Sequence, residues 1–468
     1  MVFSLLVQQY MHQKGQLKQK NTMIQFHVIK DPVHGAMQFT TLEDSWIKPF
    51  LDSGNVQRLR HIRQLGLADW IFPGAVHTRF SHSVGCCYVG SQICNKLGVS
   101  TRDKQLVMLA CLLHDIGHGP FSHAFETLFY QGGIRHELWT PMFIADYANE
   151  GFLSSFNKKN PDYPLSQEDL KIIQDLIGHK SESTLLSDIV SSQLDADRLD
   201  YLHRDSHFCG VTYGEYDFRW LLHCLTVIEQ DGVARLGVTT KGIGVVEQYL
   251  MARRLMVRNV YHHGKKHGGE FFLQSFLHYL AQAVNEDGYF KELAANPLII
   301  FLQSVNNYNA QAKQTSNLNA LKTEFLKQNY ALYKQLCDYD IYAVIRHLAH
   351  QNFNHTSVTL AKRLYARQLP KVIYIDEKSV DRVSQQIEKI KKQHDIEDWQ
   401  ITLLQLPHLS YEMEQNPILI QDSFGRVSFL HDDSFMVEAL SDRRENSSLV
   451  CIDTNILHHF AVKKLIGD

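Results

Sequence analysis

No two cysteines in this 468-residue chain have the spacing of a metal knuckle or of a secreted disulfide framework, although eight are present. They read as reduced thiols, and the adjacent Cys86 and Cys87 read as helix packing. No run of about 18 apolar residues occurs, so a membrane-spanning helix is not expected. The opening "MVFSLLVQQYMHQKGQ" has neither the charged start nor the apolar length of a secretory signal. These absences together lead us to expect a soluble cytoplasmic protein with no membrane partner. A formal net charge of -3 excludes a global basic field, so bulk attraction to nucleic acid is not the organising principle. No internal repeat is visible.

What remains is an ordinary globular composition, 44% hydrophobic and 21% charged, with 26 histidines as its one unusual count. Many of these histidines fall between residues 77 and 136. The length allows two or three domains, or one large helical core with an appendage. Residues 1–25, Gln- and Lys-rich after a short apolar start, are expected to form an N-terminal arm. Residues 26–290 read mostly as helix and 291–468 as a mixed helical and α+β lobe. The change of composition through "NEDGYF", "AANP" and "NNYNAQAKQTSNLN" marks the boundary. In that lobe "KVIYID", "SVDRVSQQIEKIKKQHD" and "WQITLLQL" read as strand, helix, strand, and "NPILIQD" as a further strand. "VARLGVTTKGIGV" at 233–245 reads as a small inserted hairpin with Gly242 in its turn region. The fold class expected is mainly α.

"KQLVMLACLLHDI" is apolar on nearly every face, which predicts a central buried helix stopped by Gly117 and the Gly119-Pro120 pair. At its end His114 and Asp115 put an imidazole and a carboxylate into an apolar interior, which costs several kcal/mol if they are left unpaired. A divalent cation accepts both ligand types together. Two more stretches offer ligands, "HTRFSHS" at 77–83 and "LDADRLDY" at 194–201. Residues 187–205 read as one helix with Asp197, Tyr201 and Asp205 along one stripe. Cysteine ligation is not expected, because no cysteine shares the spacing of these residues.

Five stretches in order, "KDPVHGAMQF", "VQRLRHIRQLG", "FPGAVHTRFSHSVG", "HDIGHGPFSH" and "DADRLDYLHRD", resemble the deoxynucleoside triphosphate triphosphohydrolases of the HD-domain superfamily. The resemblance covers roughly residues 26 to 265. It implies an HD-type helical core and one divalent metal ion (manganese, iron or magnesium) held by His82, His114, Asp115 and Asp197, with Asp195 as a supporting residue. The family reaction attacks the α-phosphorus and releases a deoxynucleoside and intact triphosphate. By the resemblance His118, His123 and His136 are active-site histidines. His123, oriented by Glu126 one helical turn away, is then the acid for the departing 5′-oxygen. Arg79, Arg198 and Arg253 match the partners of the triphosphate, with Arg198 standing where the family commonly has Lys. Gln64, Leu65, Tyr201, Asp205 and Tyr261 match positions around the sugar, and Gln64 and Asp205 are expected to bond the 3′-hydroxyl.

The resemblance also implies regulation. Asp52, Gln57, Arg60 and Arg219 match residues that hold an activating guanine nucleotide, GTP or dGTP, at a subunit interface of a tetramer or dimer. Lys30 replaces an Asn and Gly264 a Lys of the vertebrate pattern, which alters the expected second activator site. Two competing readings remain: an HD phosphohydrolase of another nucleotide or phosphate ester, and an HD protein that binds nucleic acid. For the latter the sequence offers only the local basic charge of "VYHHGKKHGG" and "EKIKKQ".

Overall fold

The computed structural model describes residues 28–39, 44–181, 183–230, 232–284, 291–409, 417–440 and 444–466. The N-terminal arm expected over 1–25 and the "NEDGYF" stretch at 285–290 lie outside the described residues. The protein is mainly helical. Its principal helices are α1 (Arg79–Leu97), α2 (Thr101–Leu113), α3 (His136–Ala145), α4 (Gln167–Ile177), α5 (Thr184–Val190), α6 (Ala196–Cys209), α7 (Ile243–Met256), α8 (Gly264–Ala283), α9 (Pro297–Ala312), α10 (Leu318–Tyr333), α11 (Asp338–Ala349), α12 (Thr356–Tyr365) and α13 (Val380–His394).

The helix pair α1 and α2 is the centre of the molecule. Gly98 closes α1 in the left-handed region at φ +67°, where a side chain is strained, and the Ser100 hydroxyl starts α2 by accepting from the Asp103 amide at 3.1 Å. Every residue of α2 from Lys104 to Leu113 is buried, as its unbroken apolar run requires. The helix ends before the glycines expected to stop it: His114 is already its C-cap, and Asp115 to Gly117 follow in turn conformation. Those two side chains therefore leave the negative end of a buried helix, a place that favours a cation.

α6 packs across α1 and brings a third segment to the same place. Here the structure corrects the single helix read over 187–205: the chain breaks between α5 and α6, and Asp195 caps α6 by accepting from the Arg198 amide at 2.7 Å. The break directs Asp197 inward from the first turn of a new helix. The inserted hairpin also lies earlier than expected. Its strands are β3 (Leu225–Gln230) and β4 (Val233–Thr239), Gly232 at φ +78° sits in the turn, and Gly242 instead precedes α7 as its N-cap.

One hydrophobic core joins these helices to α9 through α12. A second, smaller core lies where Val383, Ile387 and Ile390 of α13 pack on an antiparallel sheet of order β5 (Lys371–Ile375), β9 (Arg444–Ile452), β6 (Ile401–Leu409). The strand read in "NPILIQD", β7 (Leu419–Gln421), does not join that sheet. It pairs in parallel with β4, Gly237 opposite Leu419, and is followed by β8 (Val427–Phe429). Near the amino-terminal side β1 (Val28–Asp31) and β2 (Gly35–Gln38) form a separate ribbon. Among the described residues no helix is long and apolar enough to cross a membrane.

Candidate metal centre

Four side chains from three segments meet at the end of α2. His82 Nε2 lies 3.0 Å from Asp197 Oδ1 and 3.8 Å from Asp115 Oδ2, while His114 Nε2 lies 3.4 Å from Asp115 Oδ1 and 3.6 Å from Asp197 Oδ1. Each imidazole is oriented by its other nitrogen. His82 Nδ1 is 2.8 Å from Asp200 Oδ2 and His114 Nδ1 is 2.8 Å from the Cys111 carbonyl, so both present Nε2 to the carboxylates. His114 Nε2 is buried and has no hydrogen-bond partner. Two imidazole nitrogens and two carboxylates aimed at one point, one nitrogen of them orphaned, suit a divalent cation. Burial pulls the His82 pKa down, but hydrogen bonds and charge from Asp197 and Asp200 outweigh it and raise the imidazolium to about 10. The same carboxylates that favour the imidazolium would favour a metal ion at Nε2, so proton and metal compete there.

One more residue stands in the group. Cys86, a helical turn beyond His82, brings its Sγ to 3.5 Å from His82 Nε2 and within 4.8 Å of the donor atoms of His114 and Asp197. This corrects the sequence expectation that no cysteine shares the ligand spacing. Burial holds the thiol well above its ordinary pKa, and that favours the protonated sulfur as packing.

Behind the ligands lies a buried network that sequence reasoning missed. Asp200 accepts from Arg204 Nε and Nη2 at 2.9 and 2.8 Å and sits 2.7 Å from His34 Nε2. Arg204 in turn donates to Asp31 at 2.7 Å. Gly85 is required where α1 crosses this network, because a Cβ there would overlap the Asp200 carboxylate. Asp31 and His34 stand inside "KDPVHG", a motif in which only Lys30 had been singled out.

A second histidine group adjoins the first. The rings of His118 and His136 stack at 3.6 Å, and that of His123 is 5.8 Å from His118 and 5.7 Å from His136. Glu126 bridges two of them, 2.7 Å from His136 Nδ1 and 3.1 Å from His123 Nδ1. The imidazoles hold its carboxyl well below the ordinary range, against burial. His118 is 2% exposed, and burial followed by the Arg79 charge lowers it well below its usual pKa. The His123 side chain, by contrast, is 73% exposed. The connecting loop is strained: Phe121 and Ser122 both sit at φ +50°. It is held by Asp338, which accepts from the Phe121 and Arg63 amides at 2.8 Å each, by Tyr333 on the Gly117 carbonyl at 2.8 Å, and by Arg58 on the His118 carbonyl at 2.9 Å. Asp338 and Tyr333 come from more than 200 residues away, and no sequence spacing pointed to them.

The remaining expected residues fall in three places. Arg79 faces the metal group but is engaged by the protein, pairing with Asp115 and donating to Ser122 Oγ at 2.8 and 3.0 Å. Arg198 lies 3.6 Å from Asp195 with its Nη1 buried and unpartnered, and Arg253 and Tyr201 are half-buried. Asp205 is bonded by His77 and by the Tyr261 hydroxyl, both at 2.7 Å, the Tyr201 and Tyr261 rings lie 6.1 Å apart, and Gln64 has a buried, unpartnered Oε1. Leu65 is half-buried beside it. Asp52, Gln57 and Arg60 form a separate patch: Asp52 pairs with Lys48, Arg60 Nε donates to Gln57 at 2.7 Å, and the Arg60 guanidinium lies 3.6 Å over the Phe80 ring. Arg219 stands exposed on the Phe218–Cys224 helix.

Residues 79–205 match the family model of the HD domain, and they span α1 to α6 with all four converging side chains. The chain is 32% identical over 267 residues to the uncharacterized protein YwfO of Bacillus subtilis, covering 56% of this chain and 57% of that protein. It is 31% identical over 268 residues to the deoxynucleoside triphosphate triphosphohydrolase SAMHD1 of Bos taurus, covering 50% and 44%. The chain thus spans about half the length of the curated relatives it matches. In three dimensions it is similar to the crystal structure of a phosphohydrolase from Bacteroides thetaiotaomicron, with a TM-score of 0.71 and 27% identity, covering 92% of this chain and all of that one. The match places an HD domain at residues 79–205, and the His and Asp side chains grouped there could hold a divalent metal.

Proposed function

We propose that the protein hydrolyses deoxynucleoside triphosphates to deoxynucleoside and inorganic triphosphate. The observation that carries this reading is the convergence of His82, His114, Asp115 and Asp197 beside the Glu126-bridged histidines. The similarity to the SAMHD1 triphosphohydrolases points the same way. His82, His114, Asp115 and Asp197 would hold a divalent ion, which would supply Lewis-acid activation of water and of a phosphoryl oxygen. Arg79 sets the rotamer of Asp115 and shares its charge with the phosphate that enters; Arg198 and Arg253 neutralise the rest of the triphosphate. His123, exposed to the site mouth and oriented by Glu126, gives its proton to the departing 5′-oxygen. His118, kept neutral, and His136 stabilise the phosphate oxygens. Gln64, Leu65, Tyr201, Asp205 and Tyr261 enclose the sugar.

The patch of Asp52, Gln57 and Arg60, with Arg219, is proposed to take an activating guanine nucleotide at an interface of a homotetramer or dimer. The eight thiols, all unpaired, suit a reducing cytoplasm. The test is product analysis: the manganese-, iron- or magnesium-loaded protein is incubated with each deoxynucleoside triphosphate, with and without GTP or dGTP. Deoxynucleoside with intact triphosphate is the expected product pair. Monophosphate, inorganic phosphate or no turnover would overturn the reading in favour of another phosphate ester as substrate.

A further inference from the structure

His77 is completely enclosed, and each of its polar atoms that makes a bond makes it to a wall of the proposed sugar pocket. Its Nε2 lies 2.7 Å from Asp205 Oδ1 with the imidazole 0% exposed, and its carbonyl accepts from the Gln64 amide at 3.1 Å. The ring stacks on Phe208, one helical turn beyond Asp205 on α6, at 4.6 Å and 18°. The loop that carries His77 can lie this close because residue 74 is glycine: a Cβ there would overlap the Phe208 carbonyl. His77 Nδ1 is buried with no partner, so a proton placed on it would go unsatisfied; the proton belongs on Nε2, which donates to the carboxylate. Tyr261 donates to the other oxygen, Oδ2, at 2.7 Å.

We infer that His77 is the positioning residue of the sugar pocket: it fixes the carboxylate of Asp205 and the backbone of Gln64 together, and so sets discrimination for a hydroxyl at the 3′ position of the nucleoside. The inference rests on the substrate class proposed above. With one donor on each oxygen, Asp205 cannot rotate, yet each oxygen keeps lone-pair capacity for a hydroxyl that enters. A nucleoside without that hydroxyl leaves a desolvated carboxylate under-satisfied, the situation in which a binding site rejects an analogue most strongly. Among the described residues His77 bonds neither the metal group nor the Glu126 histidines, and it acts through Asp205 and the Gln64 backbone.

The test compares 2′-deoxy and 2′,3′-dideoxy substrates in the metal-loaded protein with His77→Phe, which keeps the stack on Phe208 and removes the donor. The wild type is expected to favour the 3′-hydroxyl substrate by at least roughly tenfold in kcat/KM, on the scale of one charged hydrogen bond. His77→Phe is expected to lose that preference through a raised KM, with metal content unchanged, and His77→Gln, whose Nε2 reaches the same place, to restore it. Calorimetric binding of deoxynucleoside against its 3′-deoxy analogue reads the pocket without turnover. Retained discrimination in a folded His77→Phe, or a loss confined to kcat, overturns the role of His77; where His77→Phe does not fold, loss of the preference in His77→Gln does so. Absence of triphosphate release by the wild type overturns the reaction proposed above and leaves the nucleoside-binding result to judge His77 separately.

Discussion

His82 and His118 are both buried, both belong to segments that flank the end of α2, and their surroundings drive them in opposite directions. Burial lowers both, but Asp197 and Asp200 raise His82 to about 10, whereas the charge of Arg79 adds to the burial of His118. The carboxylates around His82 favour positive charge there; burial and the Arg79 charge around His118 disfavour it. The HD domain thus keeps two electrostatic compartments side by side, one that favours positive charge and one that disfavours it.

The largest effect expected from breaking this division is on the cation side. Replacing Asp197 with Ala removes a carboxylate shared by both ligand imidazoles, 3.0 Å from His82 and 3.6 Å from His114. Metal content measured by elemental analysis and turnover should be lost together, turnover by about 10³-fold or more, a scale set by the several kcal/mol a metal supplies. The fold should survive, at some cost in stability, because His82 loses one of its two hydrogen-bonding carboxylates but keeps Asp200. A variant that keeps its metal stoichiometry would remove Asp197 from the ligand set.

Glu126→Gln breaks the other compartment. The charge that orients His123 and His136 goes, while the four ligand residues are untouched. The expected result is a fall in kcat of about 10²- to 10³-fold, as for loss of an oriented general acid, with metal retained. A fall in metal content equal to that of Asp197→Ala would show that the two groups are one unit.

The comparison also shows what the sequence could reveal. The four side chains that converge at the end of α2 and the three clustered histidines lie in short contiguous motifs, where residue type and order carry the pattern, so the resemblance singled them out. The helix α2 was legible because an unbroken apolar run has one stable location. Asp200, Arg204, Asp31 and His34 were not legible, because buried polar residues look like surface ones until their partners are known. The α5–α6 break was hidden since the apolar spacing of 187–205 continues across it, and only the cap at Asp195 marks it. Asp338 and Tyr333 are tertiary supports of a strained loop, and nothing local distinguishes them. Residues 225 to 245 misled for a simpler reason: Gly242 is as good a turn signal as Gly232, and only strand pairing decides between them.

A smaller effect should follow from Asp200→Asn, which leaves every ligand in place and weakens only the group behind His82. Metal affinity is expected to fall about 10- to 100-fold, the scale of outer partners to ligating histidines. The apo protein should lose stability as well, since Arg204 would keep Asp31 but lose the Asp200 charge from its buried pair. Equal metal affinity in the variant, measured by competition with a chelating dye, would mean that α1 packing alone orients His82.

The smallest effect tests whether burial, helped by a neighbouring imidazole, keeps a histidine neutral against the pull of the Asp200 carboxylate. His203 stacks on Tyr216 at 4.2 Å, its Nε2 is buried without a partner, and burial followed by the His34 charge lowers it from 6.5 to about 4. The unfolded chain therefore binds a proton near pH 6.5 that the folded chain refuses until about pH 4. The unfolded state is favoured in that window, so the contribution of His203 is constant above pH 6.5 and turns destabilising as the pH falls. Allowing for partial exposure, the loss by pH 4.5 is about 1 to 2 kcal/mol. Denaturant titrations of wild type and His203→Phe at pH 7.5 and 4.5 isolate it: the stability difference between the two proteins should move by that amount in favour of His203→Phe at the lower pH. A difference independent of pH would mean that His203 is protonated in the folded protein, and that the neutrality of His118 needs the charge of Arg79 as well as burial.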